Sequence, residues 1–413
     1  MAMNWVRRLA ASAPVPLFVA IGEGAEAAVD ALCVDPAVRR VTSPRHASVL
    51  LVAGTVRPED REALCRLHDQ LPHPRATLRW GPIGVDALDA LDALTTIPAS
   101  ADPIPVLGDL YRRLLERHIE SEPHLLADRP PVEWRGKGEH GQGGKGMMGG
   151  TPYGRPMAMT GDDLRDGLAL DAYTVELGPF LSALPAGLVL EVTLQGDVIQ
   201  RASALRPPYA NASDAHESRQ ARAACALRRV ARMLVLLELP AQAMRCQRLA
   251  ARVTRAHDTE TDVREVQDLR AALQRGGVRA ALPAGLGLID ATLAEAMGVT
   301  ELSARARLAR WLDDAEGALN NFATSATHEP HAAQAPRVAP QDALVAHHGV
   351  AFTDLLVGLE WHEATLVLAS LESNALRRTW PDPAKTSTTT ASAQSRGHPT
   401  HKHQTDHDAK NPQ

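Results

Sequence analysis

The chain has few aromatic residues, 3% of the total, and only four cysteines, none of them paired as C-x-x-C. With so few rings, a core must be filled mostly by Ala, Leu and Val. The scattered positions of Cys33, Cys65, Cys225 and Cys246 argue against a disulfide framework and against a zinc site built on paired thiolates, so a reduced, cytosolic compartment is expected. A strong charge of one sign is also missing. The net charge is -5 with acids and bases intermixed, so no global field draws in nucleic acid, and none is expected as a partner. No apolar run reaches the roughly 20 residues of a membrane span, so membrane contact is expected only through partners. Arg7 and Arg8 precede an apolar run that could pass for a signal peptide. Pro14 and Pro16 interrupt that run, and Pro-Leu-Phe-Val-Ala-Ile reads as a first buried strand.

What is present is a chain of 413 residues, 45% apolar, long enough for two domains or more. Short apolar runs at Leu17–Ile21, Val49–Ala53 and Ala76–Trp80 alternate with helical patterns at Ala25–Cys33 and Glu59–Leu71. That is the rhythm of a parallel βαβ sheet, here ending near Leu115. Asp60 and Glu62 fall in the first turn of the second helix, as the helix dipole prefers. Between Glu120 and Tyr153 the composition is Pro-rich and then Gly-rich, which predicts a long irregular linker.

Strands are expected near Asp171–Leu177 and Gly187–Ala202, the latter with Leu188, Leu190, Val192 and Leu194 on one face and Glu191, Thr193 and Gln195 on the other. Gln195-Gly196-Asp197 suits a tight turn. From Ala215 to Asp258, Leu227, Val230, Leu234 and Leu237 recur at helical spacing, with a corner at Pro240 and a second helix over Ala241–Arg255. A glycine-rich corner at Arg275–Gly277 precedes further helices at Ser303–Leu319 and Ala351–Asn374. The expected class is α/β plus α+β. Residues 1–118 form a doubly wound parallel-sheet domain, 119–160 a Pro/Gly-rich linker and loop, and 161–379 a small antiparallel sheet followed by a mainly helical domain. Residues 380–413 form a tail too poor in apolar residues to order itself, and His328–Pro340 reads as a shorter segment of the same kind.

The candidate interaction element is the glycine and methionine loop from Glu139 onward, with Gly141, Lys145, Met147, Tyr153 and Arg155, followed by Asp162 and Arg165. A loop so rich in glycine, set before a strand pair, is expected to lie against another surface rather than close a turn. Met147, Met148, Met157 and Met159 suit an adaptable packing surface. Two overlapping G-x-G-x-x-G matches between Gly136 and Gly146 follow prolines and lead to more glycine, so they lack the strand and helix of a dinucleotide site. Lys145 is followed by Gly146 and lacks the Ser/Thr of a P-loop. His140 beside Glu139, and His362 between Glu360 and Glu363, are proton-transfer candidates with no second partner, which favours solvent-facing or packing roles. The tail histidines His398, His401, His403 and His407 are weak candidates for loose metal binding.

Two stretches carry a resemblance to one pair of protein families. Ser43–Gly81, SPRHASVLLVAGTVRPEDREALCRLHDQLPHPRATLRWG, resembles the small, iron-sulfur subunit of respiratory complex I and of membrane-bound nickel-iron hydrogenases, whose strand and helix read similarly through "VAGT" and "YDQMPEP". Leu177–Ala202, LGPFLSALPAGLVLEVTLQGDVIQRA, resembles the opening strands of the hydrogenase-like large subunit of the same complexes. The resemblance implies two neighbouring subunits fused in one chain. It also implies partners among the other subunits of a membrane-bound oxidoreductase, antiporter-like membrane subunits included, and a place on the inner face of the cell membrane.

In those families the small subunit holds an iron-sulfur cluster on cysteine thiolates. The matching positions here read Gly22-Glu23-Gly24-Ala25 after the first strand, Pro82-Ile83-Gly84 past Trp80, and Pro105-Val106-Leu107-Gly108 at the place of a P-G-C-P motif. The paired cysteines of a nickel site and the histidine of a quinone loop are missing too, the strand turn reading Phe180-Leu181-Ser182-Ala183. The resemblance therefore implies a subunit without cofactors of its own, with any iron-sulfur cluster, nickel or quinone held by its partners.

Overall fold

The computed structural model describes residues 13–81, 88, 94–127, 159–162, 169–210, 218–255, 259–275, 278, 282–325 and 351–380. The first half is a five-stranded, all-parallel sheet of β1 (Val15–Ile21), β2 (Val38–Arg40), β3 (Val49–Ala53), β4 (Ala76–Trp80) and β5 (Thr95–Ile97), in the order β2-β1-β3-β4-β5. Helices α1 (Glu26–Leu32), α2 (Arg61–Asp69) and α3 (Pro103–Leu115) cover it. Successive side chains of a strand point to opposite faces, so β1 divides its own residues between two cores. Leu17 and Val19 pack with Val29 of α1 and Leu107 and Leu114 of α3. Phe18 and Ala20 pack with Leu64 and Leu67 of α2. Helices on both faces of a parallel sheet make this half doubly wound α/β, as expected.

Three elements of this half are not evident from periodicity. β2 and β5 are three-residue edge strands, and α3 opens on Pro103 at its first turn, capped by Asp102, whose carboxylate accepts from Ile104 N–H at 3.0 Å. Pro105–Gly108, placed above at a cluster-binding motif, lie inside α3 instead. The turn that follows β5 is Pro98–Asp102, and it contains no cysteine.

The second half opens on an antiparallel sheet of β6 (Met159–Asp162), β7 (Ala169–Leu177), β8 (Val189–Gln195) and β9 (Val198–Arg206), in sequential order, with β6 beginning inside the expected linker. Gly196, at φ +60, makes the β8–β9 turn. A register shift between Thr193 and Leu194 breaks the expected alternation, and Gln195 is buried rather than solvent-facing. Against this sheet pack α4 (Arg219–Leu236), α5 (Pro240–Val253), α6 (Thr259–Arg275), α7 (Ala291–Met297), α8 (Ala304–Ser325), α9 (Trp361–Ser370) and α10 (Ser373–Arg378). The single helix expected over Ala351–Asn374 is broken. Gly358, at φ +83, turns the chain so that its N–H donates to Ile199 O at 2.8 Å, and Glu360 and Glu363 form a capping box that starts α9 afresh. Leu371 then takes an extended conformation that separates α9 from α10. Arg307 of α8 is fully buried and ties the helices together, donating to Gly287 O at 2.9 Å, Glu301 O at 3.0 Å and Ser370 Oγ. No helix among the described residues is long and apolar enough to cross a membrane.

Candidate functional site at the junction of the two halves

A parallel sheet of this order offers its ligand crevice beyond the strand C-termini where the connections diverge, here between β1 and β3. The loops at that point, Gly22–Ala25 and Gly54–Val56, are bonded to one another. Gly22 N–H donates to Ala53 O at 2.7 Å, Glu23 N–H to Thr55 O at 2.8 Å, and Gly54 N–H to Trp80 O at 3.0 Å. A Cβ on Gly22 would stand 2.6 Å from Thr55 O, and one on Gly54 2.5 Å from Glu23 O. Gly22 and Gly54 therefore let the two loops close on each other backbone to backbone at the crevice.

The thiols lie elsewhere. Cys33 ends α1 and Cys65 is buried on α2, and burial pushes both upward, Cys33 to about 11. Cys246 is buried on α5 and is pushed up to about 12 by the same cause. With Cys225 on a further helix, Arg219–Leu236, the four thiols stand singly on separate helices, whereas an iron-sulfur donor set needs convergent thiolates. Among the described residues no group of three His, Cys, Asp or Glu side chains converges as a metal site would require.

Just past the closed crevice, the turn after β3 meets the second half in a compact polar cluster. Asp60, fully buried, accepts from Tyr209 Oη at 2.8 Å and from Arg57 Nε at 3.1 Å, and Arg206 Nε lies 3.0 Å from its other carboxylate oxygen as an ion pair off hydrogen-bond alignment. Arg57 also donates to Pro207 O at 2.8 Å and to Gly187 O, and its guanidinium stacks over the Tyr209 ring at 4.4 Å from the centroid. Burial and the neighbouring Asp60 carboxylate push the Tyr209 phenol above its usual range, so it stays a donor. Gly187, at φ +83, lets the Tyr209 ring and Arg57 approach its backbone, where a Cβ would meet the ring at 2.6 Å. Phe180, from the β7–β8 loop that lacks the histidine of a quinone loop, packs into the core beneath α2 and helps to join the halves. None of Arg57, Asp60, Arg206 and Tyr209 stands out in the sequence, since some 150 positions separate the two pairs.

A second buried network fastens the start of the Pro/Gly-rich segment. His68, fully buried, has Nδ1 2.9 Å from Asp69 Oδ1 and Nε2 3.0 Å from Glu122 Oε2. Glu122 accepts from Thr77 N–H at 2.7 Å and Thr77 Oγ1 at 2.6 Å, while Asp69 accepts from the N–H groups of Leu125 and Leu126, both at 2.9 Å. Buried Arg75 donates to the carbonyls of Asp69, Leu71 and Glu122. Carboxylate, imidazole and carboxylate in a row could suggest proton relay, but every oxygen is held by local backbone or side-chain donors, as suits a clamp.

Burial alone would raise the Asp69 carboxyl, but the Leu125 and Leu126 amides and the His68 ring outweigh it and hold it below the usual carboxylate range. A group whose folded value is depressed stabilises the fold above its unfolded value, about 4, and that contribution is lost as pH falls through the folded value. Below about pH 4, amide-exchange protection at Leu125 and Leu126 is therefore expected to drop before that of β3. Asp69→Asn should abolish that pH dependence.

Gly141, Lys145, Met147, Tyr153, Arg155 and Arg165 lie outside the described residues, as do His140, the G-x-G-x-x-G matches and the tail histidines His398, His401, His403 and His407. What is described are the flanks of the loop, held by the clamp at Leu125 and Leu126 and by β6 at Met159. His362 is exposed on α9. A separate cleft of about 570 Å³ between α6 and α8, lined largely by aliphatic side chains such as Leu273, Leu308 and Leu312, shares no residue with the junction.

Over 69 residues the chain is 33% identical to the NADH-quinone oxidoreductase B subunit of Rubrobacter xylanophilus and 29% identical to its counterpart of the same name in Carboxydothermus hydrogenoformans. The matched stretch is 17% of this chain and 27% and 40% of those two proteins, so the chain spans less than half of either. No family model matches the chain. The chain is thus related, over part of its length, to a subunit of complex-I-like oxidoreductases.

Proposed function

We propose that this protein is a structural subunit of a complex-I-like or hydrogenase-like membrane oxidoreductase of the NADH:quinone type. In this reading a small-subunit-like sheet and a large-subunit-like sheet with helices are fused, their iron-sulfur and nickel ligands having been lost. It sits peripherally on the inner face of the membrane through partner subunits, antiporter-like ones among them, and those partners hold any iron-sulfur cluster, nickel or quinone. The observation that carries this reading is the partial similarity to the two NADH-quinone oxidoreductase subunits together with the closure of Gly22–Ala25 on Gly54–Val56, where backbone hydrogen bonds occupy the strand ends that would face a cluster. The Arg57–Asp60–Tyr209 cluster supports it further, because it spends buried polar side chains of both halves on joining them.

Affinity purification of the tagged protein from its native host in mild detergent, followed by mass spectrometry, is the test. Stoichiometric recovery of membrane oxidoreductase subunits is expected. Recovery as a lone monomer would sink the proposal, and recovery with immature complexes but not with finished ones would identify an assembly factor instead. If the complex forms but its quinone reductase activity is abolished by replacing Tyr153 or Arg155, the chain takes part in the reaction and a purely structural role is wrong.

A further inference from the structure

Helices α4 and α5 pack against each other through a short turn at Leu237–Leu239, and their charge is one-sided: from Arg219 to Arg255 the chain has nine arginines, one glutamate and no lysine. Several of these arginines are satisfied inside the molecule. Arg229 lies 2.6 Å from Glu372, Arg232 pairs with Glu26 of α1, Arg228 acts on the half-buried Asp30 carboxylate through its charge, and Arg252 lies 2.8 Å from Asp262 and bonds Glu265. Arg245, Arg248 and Arg255 are exposed, and their side chains form no ion pair or hydrogen bond among the described residues.

Arg245, Arg248 and Arg252 belong to α5, and Arg255 to the turn just beyond it. At 3.6 residues per turn the four positions fall within roughly 80° of arc. They lie opposite the buried face of Ala243, Cys246, Leu249, Ala250 and Val253. Their spacing of three, four and three residues is the 3.5-residue repeat with which one helix lies along another.

We propose that this stripe docks an acidic helical segment of a partner protein. Two observations favour a helix bearing carboxylates. The stripe is made of guanidinium groups alone, whose planar fork matches a carboxylate in two-point contact. The chain also already shows such a contact, because α6 presents Asp262 and Glu265, three residues apart on one helix, to Arg252 in the middle of the stripe. Among the described residues, the side chains of Arg245 and Arg248, earlier on the same face, meet no such acid. Exposed pairs of this kind are individually weak, so the docking is modest in affinity and sensitive to salt.

The test uses the full-length protein and a fluorescein-labelled helical peptide of about three heptads, with glutamates at the same three-four-three spacing. Two comparisons accompany it: a peptide of equal composition interrupted by prolines, and vesicles of phosphatidylglycerol and phosphatidylcholine. By fluorescence anisotropy the helical peptide is expected to bind and the proline-broken one not to. The double substitution Arg245→Glu, Arg248→Glu is expected to weaken binding by roughly tenfold or more at low salt. Circular dichroism and a thermal melt unchanged from the parent protein confirm that the exposed substitutions leave the fold intact. The proposal is overturned if the helical peptide does not bind, if the proline-broken peptide binds equally well, if the double variant binds unchanged, or if only the vesicles are bound through these arginines. That last outcome would make the stripe a lipid-headgroup surface.

Discussion

Replacing Asp60 with alanine is expected to destabilise the protein by about 3 kcal/mol, the lower end for removing one member of a buried ionic group. The carboxylate is fully buried, accepts from the Tyr209 hydroxyl and Arg57, and pairs with Arg206, so its loss leaves the hydroxyl without its acceptor and two guanidinium groups without their counter-ion. The low end applies because Arg57 and Arg206 keep side-chain exposures of 24% and 29%, and because Arg57 retains the carbonyls of Gly187 and Pro207. Urea unfolding followed by far-ultraviolet circular dichroism measures the loss. Because this cluster joins the two halves, the variant is also expected to unfold in two resolved steps rather than one. A denaturation midpoint within experimental error of the parent's would show that the cluster does not hold the junction.

A larger effect still is expected from Gly178→Ala. Gly178 has φ +115, a region closed to side chains, and a Cβ there would run into the carbonyl oxygen of Leu188. Backbone strain and overpacking together place the cost at roughly 3 kcal/mol or more. The neighbouring Phe180 would be drawn out of the core beneath α2. A drop in soluble yield with loss of cooperative thermal unfolding is the expected readout, and wild-type melting behaviour would contradict this reading of the β7–β8 loop. Gly108, by contrast, has open space around its Cβ position and lies within α3, so Gly108→Ala is expected to be neutral or mildly stabilising.

How legible the fold was in the sequence depended on how local its causes are. β3 and β4 match the expected bounds to the residue: β3 is a continuous apolar run, as a strand buried on both faces tends to be, while β4 alternates Ala76, Leu78 and Trp80 with Thr77 and Arg79 and ends at Gly81. The β8–β9 hairpin followed from alternation and from Gly196. The three-residue strand β2, Val-Arg-Arg, is too short and too charged to announce itself and exists because β1 offers it an edge. Helix α6 was missed although Val263, Val266, Leu269 and Leu273 are spaced as a helix requires, since acids and arginines surround them.

The junction itself was hidden for a stronger reason. Asp60 sits where an acid suits a helix start, yet its side chain makes no capping bond and turns instead to Tyr209 and Arg57. Nothing near Asp60 in the chain signals a partner some 150 residues away, because only the docking of two sheets creates the contact. Pro105–Gly108, aligned above with the place of a P-G-C-P motif, lie within a helix that Pro103 opens, a start that the prolines and glycine around it obscure in the sequence.

The most direct measurement is the iron and acid-labile sulfide content of the full-length chain, purified anaerobically from its native host and freed of partners, together with low-temperature electron paramagnetic resonance of the reduced sample. A structural subunit whose strand ends are closed by backbone contact should carry only trace iron and give no cluster signal, while its partners carry both. Stoichiometric iron and sulfide with a reducible cluster signal on the isolated chain would contradict the proposal, because convergent thiolates would then exist that Cys33, Cys65, Cys225 and Cys246, each at a different helix, do not supply.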